Sequence, residues 1–169
     1  VFVKTFPRIL ALAEVGWTPQ EKRNGEEFAQ RHQATLPRLD ALNIPYFKPA
    51  VLLGTWTPAE MSESWKDLDW NITDTIKKAG PFEISLFYRK GAHAIDIECV
   101  TLLEDGREIN RDEHKGRTGA AHADNIYRLK VTTLKQGATY TLRAKIRSDG
   151  GTDSSGDILL LPVQQANRK

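Results

Sequence analysis

Tyr140-Thr-Leu-Arg-Ala-Lys-Ile146 places an apolar side chain at every second position and a polar one between each pair. A period of two belongs to a strand that buries one face and wets the other. The same alternation runs through Phe82, Ile84 and Leu86 against Glu83 and Ser85, and through Ile95, Ile97 and Cys99 against Asp96 and Glu98. It returns in Tyr127, Leu129 and Val131 against Arg128 and Lys130. Turn residues stand between these runs: Gly80-Pro81, Lys90-Gly91, Asp105-Gly106, Gln136-Gly137 and Asp149-Gly150-Gly151. Together they predict an antiparallel β-sandwich over residues 67–163, with strands near 69–73, 81–89, 94–104, 107–111, 125–134, 138–148 and 157–162. The sharpest hairpin signal is Glu104-Asp-Gly-Arg107, because Asp-Gly tolerates the positive φ angles of a tight primed turn.

Upstream of this region the period is that of a helix. Thr5 reads as an N-cap, Pro7 falls in a first turn where its missing N–H costs little, and Gly16 reads as the stop. Ile9, Leu12, Ala13 and Gly16 share one face and Leu10 and Val15 widen it, which predicts a mostly buried helix. A second helix starts near Asn24, with Glu27 three residues on as in a capping box. Phe28, His32, Thr35, Leu39 and Leu42 recur at three- and four-residue steps, and Pro37 is expected to kink or divide the helix. Residues 49–66 read as a linker, within which Thr57-Pro-Ala-Glu60 could cap a short helix. The expected organisation is α+β: terminal helices over 1–48, the linker over 49–66, the sandwich over 67–163 and a tail over 164–169.

Composition narrows the function classes. Apolar residues make up 40% and charged residues 27%, as in ordinary globular chains. A formal net charge of +2 is too small for a nucleic-acid or anionic-membrane footprint. The basic residues Arg89, Lys90, Arg128, Lys130, Arg143, Lys145 and Arg147 alternate with apolar ones and so read as a solvated sheet face rather than a nucleic-acid platform. No apolar run approaches the ~20 residues that span a bilayer. The single cysteine, Cys99, excludes an internal disulfide and reads as a buried, inert thiol.

Three groups of residues are candidates for a site. Asp149, Asp153 and Asp157 lie within nine positions and offer the oxygens that Ca²⁺ wants, although a polar turn between strands uses the same residues and is the favoured reading. Asp112 and His114, with His93 and His122 elsewhere, fall short of a convergent zinc set, so no cofactor is expected. Trp56, Trp65 and Trp70 are clustered. Trp70 reads as core, whereas Trp56 and Trp65 are either seam residues or exposed faces on which a sugar could stack.

Two segments carry a family resemblance. Thr5-Phe-Pro-Arg-Ile-Leu-Ala-Leu-Ala-Glu-Val-Gly-Trp17 and Leu36-Pro-Arg-Leu-Asp-Ala-Leu-Asn-Ile-Pro-Tyr46 resemble, in order and spacing, the end of the catalytic barrel of family 20 glycoside hydrolases, the β-N-acetylhexosaminidases. The resemblance implies that the two helices close a TIM barrel, with Arg8, Glu14 and Trp17 as structural anchors and Arg8 and Glu14 either ion-paired or bonded to backbone. It also implies that the family's adjacent Asp-Glu pair and Trp-x-Glu motif lie in an upstream barrel of the same polypeptide. Glu26 and Glu27 are no substitute for that pair, since they start a solvated helix. The sandwich is similar, more loosely, to jelly-roll modules appended to secreted bacterial glycosidases. The implied function is a non-catalytic C-terminal part that braces the barrel or shapes access for N-acetylhexosamine glycans, in an extracytoplasmic setting. A carbohydrate-binding module that stacks sugars on Trp56 or Trp65 is the alternative. Barrel-facing side chains (Ile9, Leu12, Phe28, Leu39, Leu42) should be covered, by the sandwich or by a second copy in a homodimer.

Overall fold

The computed structural model describes residues 8–42, 44, 46 and 48–162. The expected cap Thr5 and first-turn Pro7 lie outside them. The chain divides into two compact units, with the boundary between Pro49 and Ala50.

The first unit is a helix pair, α1 (Arg8–Trp17) and α2 (Gly25–Ala41). Asn24 caps α2 as the sequence predicts, its side-chain oxygen accepting from the N–H groups of Glu26 and Glu27 at 3.0 and 3.3 Å. Pro37 does not divide the helix, which continues to Ala41. The ring removes one i→i−4 bond, to the Gln33 carbonyl, and the helix continues for one further turn beyond it. The face of α2 is as expected, with Leu39 buried and Phe28, His32 and Thr35 half-buried, but Leu42 is exposed. Two expectations for α1 are corrected. It buries no residue, and Leu10 and Glu14 are its shielded positions while Ile9, Leu12 and Ala13 are open. Its end is set less by Gly16 than by Arg23, whose guanidinium donates to the carbonyls of Val15 and Thr18.

The described residues of the second unit form a sandwich of ten strands. One sheet has the order β1 (Val51–Trp56), β10 (Ser155–Leu161), β3 (Gly80–Lys90), β8 (Ile126–Val131). The other has the order β2 (Lys66–Asn71), β9 (Tyr140–Ser148), β4 (Ile95–Glu104), β6 (Gly116–Gly119), β7 (His122–Asp124), with β5 (Arg107–Asp112) also paired to β4. Every pairing is antiparallel. Strands β1 to β4 and then β8 to β10 pass alternately from one sheet to the other, which is the jelly-roll winding. Ile84, Leu86, Tyr127, Leu129 and Ile158 from the first sheet meet Ile95, Ile97, Leu102, Leu142 and Ile146 from the second in one core. None of the described helices is long and apolar enough to cross a membrane.

The Asp105-Gly106 hairpin forms with φ of 50° and 78°, joining β4 to β5 as the sequence predicts. The stretch 49–66 is not a linker: it contributes β1, paired along its length to β10. The short helix inside it is a single 3₁₀ turn, Pro58–Glu60, with the Glu60 carboxylate accepting from Thr57 N–H and hydroxyl at 2.8 Å each. Strand β5 also closes one side of the sandwich. Asn110 and Asp112 accept hydrogen bonds from the Lys130 and Arg128 N–H groups, both at 2.7 Å, so side chains stand in for a missing neighbour at the edge of β8.

Candidate functional site

The tryptophans behave differently from the sequence expectation. Trp56 is 1% exposed and belongs to the core, with its ring laid over Gly156 of the adjacent strand. A ring with no open face cannot stack on a sugar, which removes Trp56 as a binding residue. Trp70 is core, as predicted, and its indole N–H donates to the Thr55 carbonyl at 2.9 Å. Trp65 keeps 38% of its surface, but the Arg147 guanidinium lies 4.7 Å from the ring centroid and covers one side. The anchors implied by resemblance are also rearranged. Glu14 pairs with Arg31 of α2 rather than with Arg8, and Trp17 is 90% exposed.

The Asp149–Asp157 segment holds no cation cradle, because its three carboxylates turn to different donors. Asp149 pairs with Arg117, and Asp157 with Arg89 at 2.6 Å. Asp153 accepts from the Ala92 and His93 N–H groups at 2.6 and 3.1 Å and meets the His93 ring at 2.9 Å. The favoured reading of a polar turn therefore gains a specific task, in which Asp153 straps the turn between β3 and β4 to the loop before β10. The Ala92 N–H, then His93, hold its pKa down at about 2. A carboxyl depressed in the folded state stabilises the fold above its unfolded pKa of about 3.9 and loses that contribution as the pH falls. Thermal unfolding of Asp153→Asn followed by circular dichroism should show a lower midpoint than the parent at pH 7. The gap should close between about pH 4 and pH 2; a gap independent of pH would refute the strap.

Asp112 and His114 form a second cluster. The Asp112 carboxylate accepts from His114 N–H at 3.1 Å and meets its ring nitrogen Nδ1 at 2.9 Å, while its other oxygen receives Arg128 N–H. Burial pushes the Asp112 pKa up, but these hydrogen bonds outweigh it and hold the carboxyl below its ordinary range. The far side of the imidazole faces Asp124 at 3.6 Å, and the ring stacks on Tyr127 with centroids 4.2 Å apart. Tyr127 is fully buried, and burial raises its phenol above the usual value. The His114–Asp112 hydrogen bonding expected from sequence is present, and the cluster buttresses the join between β5 and β8. Among the described residues no group of three ligating side chains converges on a metal position.

A trough of about 510 Å³ lies on the outer face of the β2–β9–β4–β5 sheet. Its floor is Cys99, Thr101 and Leu103 of β4, none more than 8% exposed. One wall is Arg143 and Lys145 of β9 with Asp67 of β2, and the other is Glu108 and Arg111 of β5 followed by Glu113 and Lys115. A β-bulge creates this floor. The register slips between Ile97 and Cys99, so Ile97 opposes Ile146 in the core while Cys99 opposes Lys145 on the outside. Cys99 is buried, as predicted, but beneath the outer walls and not in the sandwich core.

Lys145 meets Glu98 at 2.6 Å, Arg111 meets Glu108 at 2.6 Å, and Arg143 grips both oxygens of Asp69 at 2.7 Å. Lys145 hydrogen-bonds Glu98 and holds its pKa low, while Asp69 raises that of Arg143. The sequence reading assigned Arg143 and Lys145 to a solvated face. Their alternation is the available signal, but it cannot show that the face is concave. No family model matches the chain.

Proposed function

We propose that this chain is the non-catalytic C-terminal part of a β-N-acetylhexosaminidase-like glycoside hydrolase, its helices closing an upstream barrel and its jelly roll bracing that barrel or shaping substrate access. The carrying observation is α1, an apolar helix that buries nothing. Ile9 is 45%, Leu12 70%, Val15 53% and Trp17 90% exposed. Apolar surface of that kind gains ~25 cal/mol per Å² when covered, and a helix spends its apolar residues this way when it belongs to a larger core. The Thr5–Trp17 and Leu36–Tyr46 resemblance names the barrel as that core. Ile9, Leu12 and Leu42, expected to be covered, are exposed, and the cover proposed for them is the barrel.

The charges agree with a supporting role. A glycosidase acid needs a raised pKa, whereas Glu98, Glu104, Asp112, Asp149 and Asp153 are each held low by hydrogen-bond donors. A bacterial, extracytoplasmic setting and N-acetylhexosamine glycans as the parent's substrates follow from the resemblance. The test is an assay of this chain with a chromogenic N-acetylglucosaminide. No turnover above the buffer rate is expected, and turnover abolished by substituting any of its carboxylates would overturn the proposal.

A further inference from the structure

We propose that the trough on the outer face of the β2–β9–β4–β5 sheet is a binding site for an uncharged oligosaccharide, held by polar side chains instead of by aromatic stacking. This goes beyond the accessory role, since a bracing domain needs no ligand and the two ideas stand or fall separately.

Shape is the first argument. At about 510 Å³ the trough lies within the ~300–1,000 Å³ typical of small-ligand sites. It is built by a bulge that turns Cys99 outward and by β5, which rises beside β4 as a wall. The floor is Cys99, Thr101 and Leu103, so two of its three side chains are soft apolar surface on which the C–H face of a pyranose can rest.

Charge is the second argument and selects the ligand class. Four cations and four carboxylates line the trough, so it carries no net charge. The strongest of them are already coupled: Glu98 to Lys145, Glu108 to Arg111, and Arg143 to Asp69. An anionic or cationic ligand would have to displace a partner. A polyol would not, because a paired carboxylate keeps free lone pairs and a paired guanidinium keeps free N–H groups. Planar, fixed groups of this kind match pairs of neighbouring sugar hydroxyls, one donating and one accepting.

Thr101 supplies the third observation. It is 3% exposed and lies on the floor between Cys99 and Leu103, where its hydroxyl is the polar side-chain group. A hydroxyl in that place can donate to and accept from a ligand above it. Valine would fill the same space at this position of a central strand.

The experiment is an amide-resolved NMR titration of the whole chain with chitotriose, cellotriose and xylotriose at millimolar concentration. With at least one of them, shifts should concentrate at residues 98–103, 108–115 and 143–145. Thr101→Val should weaken that binding about three- to tenfold, the worth of one hydrogen bond. Glu108→Gln, on the exposed wall, should weaken it without lowering the melting temperature and so guards against a folding artefact. Raising the salt concentration should leave the affinity unchanged, because a neutral ligand releases no screened charge. No shift with any of the three sugars, shifts centred on Trp65, or affinity untouched by both substitutions would each overturn the site. Failure of the accessory role would register in the glycosidase assay alone.

Discussion

Trp56→Ala is expected to cost the sandwich about 3–5 kcal/mol, the usual loss for emptying an aromatic core position. The melting midpoint should fall by more than about 10 °C in a domain of this size. The ring is 1% exposed and packs with Trp70, Ile158 and their neighbours in a single cluster, so no water reaches it and little can collapse into the space it leaves. Its indole N–H has no hydrogen-bond partner, which means that the loss is one of packing and apolar burial alone. The substitution also separates two roles. If Trp56 stacked on sugar from the surface, Trp56→Ala would abolish glycan binding at nearly unchanged stability. Differential scanning calorimetry with a midpoint shift below about 3 °C would show that the ring is not core.

Gly156→Ala should be nearly as damaging, from the opposite side of the same contact. A Cβ on Gly156 would fall inside the envelope of the Trp56 ring and of the Phe87 carbonyl oxygen. Overpacking of this kind costs about 1–3 kcal/mol when side chains can move, and more when backbone must. The Phe87 carbonyl belongs to the central strand β3, which at this position is held by its pairing to Asp157 of β10. Gly54 makes the control. There the three nearest atoms to an added Cβ all belong to the ring of Trp70, so Gly54→Ala should be relieved in part by Trp70→Leu. Gly156→Ala should stay damaging in a Trp56→Leu background, because the carbonyl remains. Urea midpoints for the four single substitutions and the two pairs give the coupling energies directly. Equal rescue in both pairs would mean that the β3 backbone yields.

Most strands of the sandwich were legible in the chain because their reason is local. β3, β4, β8 and β9 alternate, and a strand with one dry face must. Asp105-Gly106 told its hairpin because few residue pairs accept positive φ twice in succession. β1 was not legible. Val51-Leu-Leu-Gly-Thr-Trp56 has no period of two, since the register slips between Leu52 and Gly54, and its pairing partner lies about a hundred positions on. β6 and β7 are too short to display a pattern, and their partners are set by β4.

Single slips also misplaced particular side chains. The alternation of Ile95, Ile97 and Cys99 assigns all three to one face, but one extra residue at Glu98 sends Cys99 to the other. The trough exists because of that residue and because β5 folds back beside it. Similarly, α1 has apolar residues all round, so its period could not say whether Leu10 and Glu14 or Ile9 and Leu12 turn towards α2. Asp153 was read as part of a polar turn, with calcium binding the lesser alternative, and the local pattern could not show that the β3–β4 turn lies opposite it.

By itself, the amino-acid sequence determined that helices precede an antiparallel sandwich, where its tight turns fall and which strand faces are dry, since these follow from periodicity and φ preference within a few residues. Only the tertiary structure decided which strands pair, that Trp56 is core, that the aspartates of 149–157 part company, and that a charged face is hollow. Those outcomes rest on groups brought together from positions about thirty to a hundred residues apart, and no local pattern encodes which distant surface a side chain will meet.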